Sequence, residues 1–358
     1  MRIKSIPIHI IRLLQQSLKA NKYYNWYVFS HHLSQKLEAT VMKSYTHKPY
    51  DATSHESTEG KTVVFVCNGN NESGGWADRL KGILSTYEVC KEESIAFRLL
   101  FTSPFQLTDY LLPNTYDWTI PEDMVVFECP HTEVVAFEIG QESKYQAMKQ
   151  KQLLRLRLRD SKAEQIHVYC NAMSSYYGDF SGMFNALFRP SPRLEQSIGK
   201  QMALLGKDYV SISARFIEAL GDFTDTQKTE PLPPHLRKLL IERCIQAVKR
   251  IHERHPESRI LVNSDSKTFL EAVGRLDYTY VIPGEIIHLD VTSGSTLDTY
   301  SLYEKTMLDF FMIANAKAIY RIDGQWIHPS GYPLAASKVY NRPFVRLEVR
   351  GERLEVRG

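Results

Sequence analysis

From Thr62 onward the chain repeats one pattern: a short apolar run, a polar loop, then a segment with apolar residues at helical spacing. Residues 63–66 read as a strand, 76–91 as a helix, 95–101 as a strand, and 166–169 as another strand after a basic helix over 144–159. A helical region follows over 184–205, interrupted at Pro190 and Pro192. The second half repeats the alternation more cleanly. Strands are predicted at 209–213, 260–262, 278–282, 318–320 and 344–347, with helices at 267–275, 302–314 and 332–339. A further helix, begun by Pro233-Pro234, carries Leu236, Leu240, Cys244, Val248 and Ile251 on one face. Strands alternating with helices predict parallel, doubly wound sheets with ligands at the carboxyl ends of the strands. The expected fold class is α/β, with two Rossmann-like domains facing a cleft and joined near Gly206.

The predicted organisation is an extension and linker over 1–60, a first domain over 61–205, a second over 206–345 and a tail over 346–358. At 358 residues the chain is long enough for two cores. A net charge of +3 is too small to make nucleic acid the main partner, and it does not oppose an anionic small ligand. The cysteines (Cys67, Cys90, Cys129, Cys170, Cys244) are dispersed, without metal-ligand spacing, and fit reduced thiols in a reducing compartment. No run of about 18 apolar residues exists, so no membrane-spanning helix is expected. Near the start, Pro7, His9 and Arg12 interrupt the apolar stretch and no small-residue cleavage site follows, which argues against a signal peptide. A peripheral amphipathic helix there is the minority reading. The expected location is cytoplasmic, with membrane association through this extension as the alternative. The tail repeats Arg346 to Gly351 as Arg353 to Gly358; it is too short for a solenoid and carries no functional reading.

The first strand leads through a polar loop to Gly74-Gly75-Trp76-Ala77-Asp78-Arg79, opening a helix with Leu80, Ile83, Leu84 and Tyr87 on one face. Glycines there let backbone approach a ligand; equally, they let a helix pack tightly on its strand. The strand 209–213 delivers Arg215 to its carboxyl end, with Glu218 and Asp222 close behind. An arginine so placed grips phosphate and neutralises a leaving diphosphate, and a nearby carboxylate takes a proton from a hydroxyl nucleophile. A surface salt bridge and solvated acids are the bland alternatives. Asn263-Ser264-Asp265-Ser266 ends the next strand; such side chains suit a ribose or base edge, and Ser264 or Asp265 equally suits a helix cap. Ser330 and Gly331 open a helix whose first amides attract phosphate. The basic helix 144–159 reads as buried leucines under solvated charges, with an anionic surface as the lesser alternative.

No HExxH, Asp-x-Asp, P-loop or GxGxxG pattern occurs, so no metal and no cofactor are expected. The stretches GGWADRLKGILSTY, VSISARF, NSDS and DFFMIANAKAIY…HPSGYPLAA, with Phe188-Arg189-Pro190-Ser191-Pro192, together resemble the GDP-fucose-dependent fucosyltransferase superfamily over residues 62–345. The resemblance implies a two-domain GT-B fold and inverting, metal-independent transfer of fucose from GDP-fucose, held mainly by the C-terminal domain, to a glycan or glycoconjugate hydroxyl. It carries Arg215 over as the diphosphate ligand, Ser330 and Gly331 as phosphate or sugar neighbours, and Asp265, with Ser266 beside it, to the nucleotide side. Gly74, Gly75 and Asp78 become the facing, acceptor-side wall, Arg79 an aid to phosphate neutralisation, and Glu218 or Asp222 the base. The pattern departs from the superfamily in two places: Ser213 stands where a histidine is usual and Phe216 where a second arginine is usual. Another nucleotide sugar, or a non-catalytic relative that binds sugar or nucleotide, are the alternatives these departures leave open.

Overall fold

The computed structural model describes residues 35–47, 60–70, 74–129, 131–137, 144–170, 178–223, 230–287, 289, 298–350 and 353–357. The expected peripheral helix at the start lies outside these residues.

Two sheets organise the chain. The first contains β1 (Thr62–Cys67), β2 (Ala96–Phe101), β3 (Thr132–Phe137) and β4 (Gln165–Cys170) in the order β2-β1-β4-β3, all parallel. Helix α1 (Trp76–Glu93) joins β1 to β2, and α2 (Lys144–Asp160) joins β3 to β4. Strand β1 is buried on both faces, as a parallel strand covered on both sides must be. Val63, Phe65 and Cys67 face α1, while Val64 and Val66 face a cluster that includes Val41 and Tyr45. On α1 the predicted face of Leu80, Ile83, Leu84 and Tyr87 is buried. On α2, Leu154 and Leu158 are buried and Arg155, Arg157 and Arg159 pair with Glu92, Glu133 and Glu93. The basic helix is therefore a packed helix with neutralised charges on this side.

The predicted helical region 184–205 divides into three parts. Helix α3 (Phe180–Leu187) stops at a short strand, Phe188–Pro190, which pairs antiparallel with Leu111–Pro113. Helix α4 (Pro192–Leu205) then starts afresh, because Pro192 suits the first turn and the Ser191 side chain accepts from the Leu194 amide.

The second sheet follows. It contains β5 (Tyr209–Ala214), β6 (Arg259–Ser264), β7 (Thr279–Tyr280), β8 (Ile319–Gly324), β9 (Phe344–Arg350) and β10 (Arg353–Arg357), ordered β7-β6-β5-β8-β9-β10. Helices α5 (Pro234–Arg254), α6 (Lys267–Val273), α7 (Thr299–Asn315) and α8 (Tyr332–Val339) make the crossovers. All neighbours are parallel except β9 and β10. Those two strands are the two copies of the tail repeat, folded into a hairpin that pairs Leu347 with Val356 and Val349 with Leu354. The predicted strand over 278–282 shrinks to β7, an edge strand bonded on one side only.

Chain order runs from β5 outward to β6 and β7, then returns to place β8 on the other side of β5. The carboxyl ends of β5 and β8 therefore diverge, which is the switch point where such sheets bind ligands. One apolar cluster joins the sheets: it runs from β1 through α1, α3, α7 and α8 to Tyr209 and Leu261. Within it the Trp76 ring stands edge-on to Phe310 at 6.1 Å, so the start of α1 is fixed against the second sheet.

Candidate functional site

The pairing of Ala214 with Ser264 puts the next residues, Arg215 and Asp265, side by side at the carboxyl ends of β5 and β6. Asp265 does not project freely. Its Oδ1 accepts from the Phe216 amide and its Oδ2 from the Ile217 amide, each at 2.8 Å. Burial pushes its carboxyl up to about 6, against the opposing pull of those amides and of Arg215. From the other side, the His328 amide donates to the Arg215 carbonyl at 2.7 Å. The turn after Arg215 is thus held by β6 and by the loop that follows β8.

That loop is itself braced. Arg321 of β8, buried, donates through Nε and Nη2 to the two oxygens of Asp323 at 2.6 and 2.7 Å, and through Nη1 to the Ser330 carbonyl at 2.8 Å. The two-pronged pair is the fork geometry that only arginine offers a carboxylate. It fixes the chain where Gly331 opens α8. Gly331 and Gly75 are the N-caps of α8 and α1 and have no side chain to cap with. At α8 the Ser330 hydroxyl accepts from the Tyr332 amide at 3.3 Å and Pro333 has no N–H to give, so what both helix starts share is the positive end of a helix dipole.

These pieces line one cavity of about 990 Å³, open mouth included. Gly75, Trp76, Ala77 and Asp78 come from the start of α1; Ser213, Ala214 and Arg215 from β5; Asn263, Ser264 and Asp265 from β6; Ser330, Gly331, Tyr332 and Pro333 from the start of α8. The loop after β7 adds Glu285, Ile286, Ile287 and Leu289, and α7 adds Lys305, Thr306 and Asp309. Among the residues of these walls, Trp76 Nε1 and Ser213 Oγ are buried without a hydrogen-bond partner, while the Asn263 side chain helps Lys305 to favour the ionised form of Asp309.

Of the residues singled out from the sequence, Gly75, Asp78, Arg215, Asp265, Ser330 and Gly331 line the cavity. Asp78 is in an ion pair with Lys81 at 2.6 Å. The others stand behind its walls. Gly74, at φ 71°, accepts from Arg79 Nε at 2.9 Å, and Arg79 Nη1 donates to the Ser103 carbonyl, so this buried guanidinium shapes the loop before α1. Ser266 is the N-cap of α6: its Oγ accepts from the Phe269 amide, the role expected of Ser264 or Asp265. Asp222 accepts from Ser266 Oγ and the Thr268 amide at 2.9 and 2.7 Å, and Glu218 is half-buried off the cavity. Phe216 is buried edge-on to Phe269, so no cation stands beside Arg215 at that position.

Sequence reasoning missed Lys305 and Asp309. Lys305 Nζ donates to Asp309 Oδ2 at 2.9 Å and to the Ile282 carbonyl at 2.8 Å, and both side chains are largely buried. Burial raises the Asp309 carboxyl, and Lys305 opposes that shift. The readable signal was a charged i, i+4 pair inside a helix otherwise filled by Met307, Leu308, Phe310, Phe311 and Met312. Among the described residues no group of three or more His, Cys, Asp or Glu side chains is placed to hold a metal ion, and no helix is long and apolar enough to cross a membrane.

No protein-family model and no curated protein matches the chain. Solved structures match it by shape. NodZ α-1,6-fucosyltransferase soaked with GDP-fucose superposes with a TM-score of 0.52 at 11% identity, over 84% of this chain and 99% of that one. POFUT1 in its apo form gives 0.51 at 10% identity, over 82% and 99%. A mutant of Arabidopsis thaliana FUT1 in complex with GDP gives 0.50 at 9% identity, over 88% and 76%. At such identities the likeness is one of fold. It bears out, at that level, the resemblance to GDP-fucose-dependent fucosyltransferases read from the sequence.

Proposed function

We propose that the protein is a GT-B-like glycosyltransferase that moves fucose from GDP-fucose to a glycan or glycoconjugate hydroxyl, with inversion and without a metal. Residues 61–205 form its acceptor-side domain and 206–345 its donor-side domain. The observation that carries this reading is the convergence of Arg215 and two helix starts, at Gly75 and Gly331, on one cavity at the β5/β8 switch point. Positive charge and oriented amides suit a diphosphate. Ile286, Ile287 and Asp309 line the same cavity. An apolar wall beside an acceptor-only carboxylate suits a base whose edge carries adjacent N–H donors, as guanine does.

In the proposed step the acceptor oxygen attacks the anomeric carbon from the face opposite the diphosphate. The bond from that carbon to the phosphate oxygen breaks, GDP leaves with the electron pair, and the hydroxyl proton passes to a base or to solvent. Arg215 and the positive end of the α8 dipole stabilise the charge that develops on the departing diphosphate. Glu218 and Asp222 remain the proposed bases; Asp222 would have to exchange its contacts with Ser266 and Thr268 to serve.

Thermal unfolding in the presence of GDP, UDP and ADP tests the donor site. GDP is expected to raise Tm most, and equal or absent protection by all three rejects the reading. Release of GDP from GDP-fucose in the presence of glycans then tests catalysis. Phe216, apolar where a second arginine is usual, favours the second reading, a binding protein that kept the cleft; GDP protection without any turnover is its signature.

A further inference from the structure

The residue after Phe216 adopts a conformation that its side chain opposes. Ile217 has φ 54°, the left-handed region, where a β-branched residue is a genuine outlier. Such strain persists only where surroundings over-determine it, and it concentrates at functional sites. Here Asp265 supplies the determination, because its two oxygens take the amides of Phe216 and Ile217 at 2.8 Å each. Both amides belong to buried residues, so no water stands in for the carboxylate. The His328 amide closes the other side through the Arg215 carbonyl.

We propose that Asp265 is a positioning residue: it holds the strained turn at Ile217 and thereby fixes Arg215 at the cavity before any ligand arrives. The inference rests on the reading of Arg215 as the diphosphate ligand. A side chain held in its binding geometry loses less freedom on binding, so the clamp acts through affinity. It also gives Asp265 a role distinct from touching the nucleotide, since each of its oxygens accepts a backbone amide.

The clamp and the strain predict coupling. Asp265→Asn keeps shape and size but turns an N–H toward an amide that needs an acceptor, and leaves that donor unpaired. GDP affinity, measured by isothermal titration, is expected to fall about tenfold or more in Asp265→Asn. Ile217→Gly removes the side chain that resists the left-handed turn, so the turn depends less on Asp265. In the Ile217→Gly background the same Asp265→Asn change is expected to cost less than about threefold, a non-additivity that independent sites do not show. An Asp265→Asn variant that binds GDP as the wild type does, or equal losses in the two backgrounds, overturns the proposal. Amide exchange on the unliganded wild type checks the clamp without any variant. Phe216 and Ile217 amides should be protected, and free exchange rejects it. Failure of the wild type to bind GDP while these amides stay protected would instead reject the donor reading and leave the clamp standing as a structural brace alone, which also overturns the positioning role.

Discussion

Lys305 and Asp309 form a buried ion pair, 2.9 Å apart, that ties α7 to the far wall of the cavity. The tie is made by the ammonium's bond to the Ile282 carbonyl, beside its bonds to the two Asp309 oxygens, and by the lysine stem, which packs under Gly284. Gly284 sits at φ 131°, and a Cβ there would come within 3.0 Å of Lys305 Cδ, so the loop closes over the lysine only because it is glycine. Lys305→Met leaves the Asp309 charge buried without its partner, and is expected to cost about 3–5 kcal/mol in urea unfolding. The double variant Lys305→Met, Asp309→Leu should be less destabilised than Lys305→Met alone, because no charge is left stranded. A single variant as stable as the wild type would show that the pair is not a buried one in solution.

Arg215→Ala tests the centre of the site. The side chain is half-buried at the cavity and the turn around it is held through backbone, by Asp265 and His328, so the fold should survive its removal with a modest fall in Tm, because the buried Asp265 carboxylate loses a favourable charge. Loss of one preorganised charged donor typically costs about 10²–10³-fold in kcat. Fucosyl transfer should fall by that order while the circular dichroism spectrum stays as in the wild type. Near-normal turnover would sink the proposed mechanism.

Much of this site was legible because ligand-facing residues in doubly wound sheets follow strands, and strands show in a sequence as short apolar runs. Arg215 follows β5, Asp265 follows β6, Ser330 and Gly331 follow β8, and Gly75 follows β1. What was not legible came from tertiary packing. Lys305 and Asp309 reach the cavity along a crossover helix, and only the docking of α7 decides which of its faces does so. Glu218 and Asp222 lie off the cavity because the chain turns at Ile217 into a conformation that sequence rules assign to glycine or asparagine. The tail repeat gave no hint of pairing with itself, since a strand that completes a hairpin at a sheet edge needs its partner's register to be recognised.

The glycines of the first helix separate two roles that the sequence left entangled. At Gly75 an added Cβ meets nothing within 4 Å, and its φ of −69° suits any residue. At Gly82, one turn and a half inside α1, a Cβ would run into the Cys170 carbonyl of β4 and approach the Phe65 ring at 2.9 Å. Close helix–strand packing is therefore the task of Gly82, while Gly75 keeps backbone open to the cavity. Gly82→Ala is expected to cost about 3 kcal/mol or more by overpacking against backbone that cannot yield. Gly75→Ala should cost about 1 kcal/mol or less in stability, the size of a lost N-cap preference. Chemical denaturation of the pair checks both, and equal stabilities would contradict the packing.

His167 links the first sheet to pH. It is fully buried on β4, its Nδ1 within 2.6 Å of the Tyr45 hydroxyl and its Nε2 within 3.0 Å of Gln165 Oε1. Burial pushes its imidazole down to about 3, so the folded protein holds it neutral where an unfolded chain, titrating near the ordinary value of about 6.5, takes up a proton. The sign follows: below about pH 6.5 the unfolded state binds the additional proton, so stability falls as pH falls toward the folded value. Across that window the loss attributable to this one group is on the order of 3–5 kcal/mol. Tyr45 carries the hydroxyl bonded to the ring and also reaches the Tyr169 hydroxyl at 3.0 Å, so protonation is expected to detach residues 41–45 from the sheet first. His167→Gln keeps polar contacts without the titration. Urea unfolding of both proteins between pH 7 and pH 4 should show a steeper decline for the wild type. Parallel declines would place the acid sensitivity elsewhere.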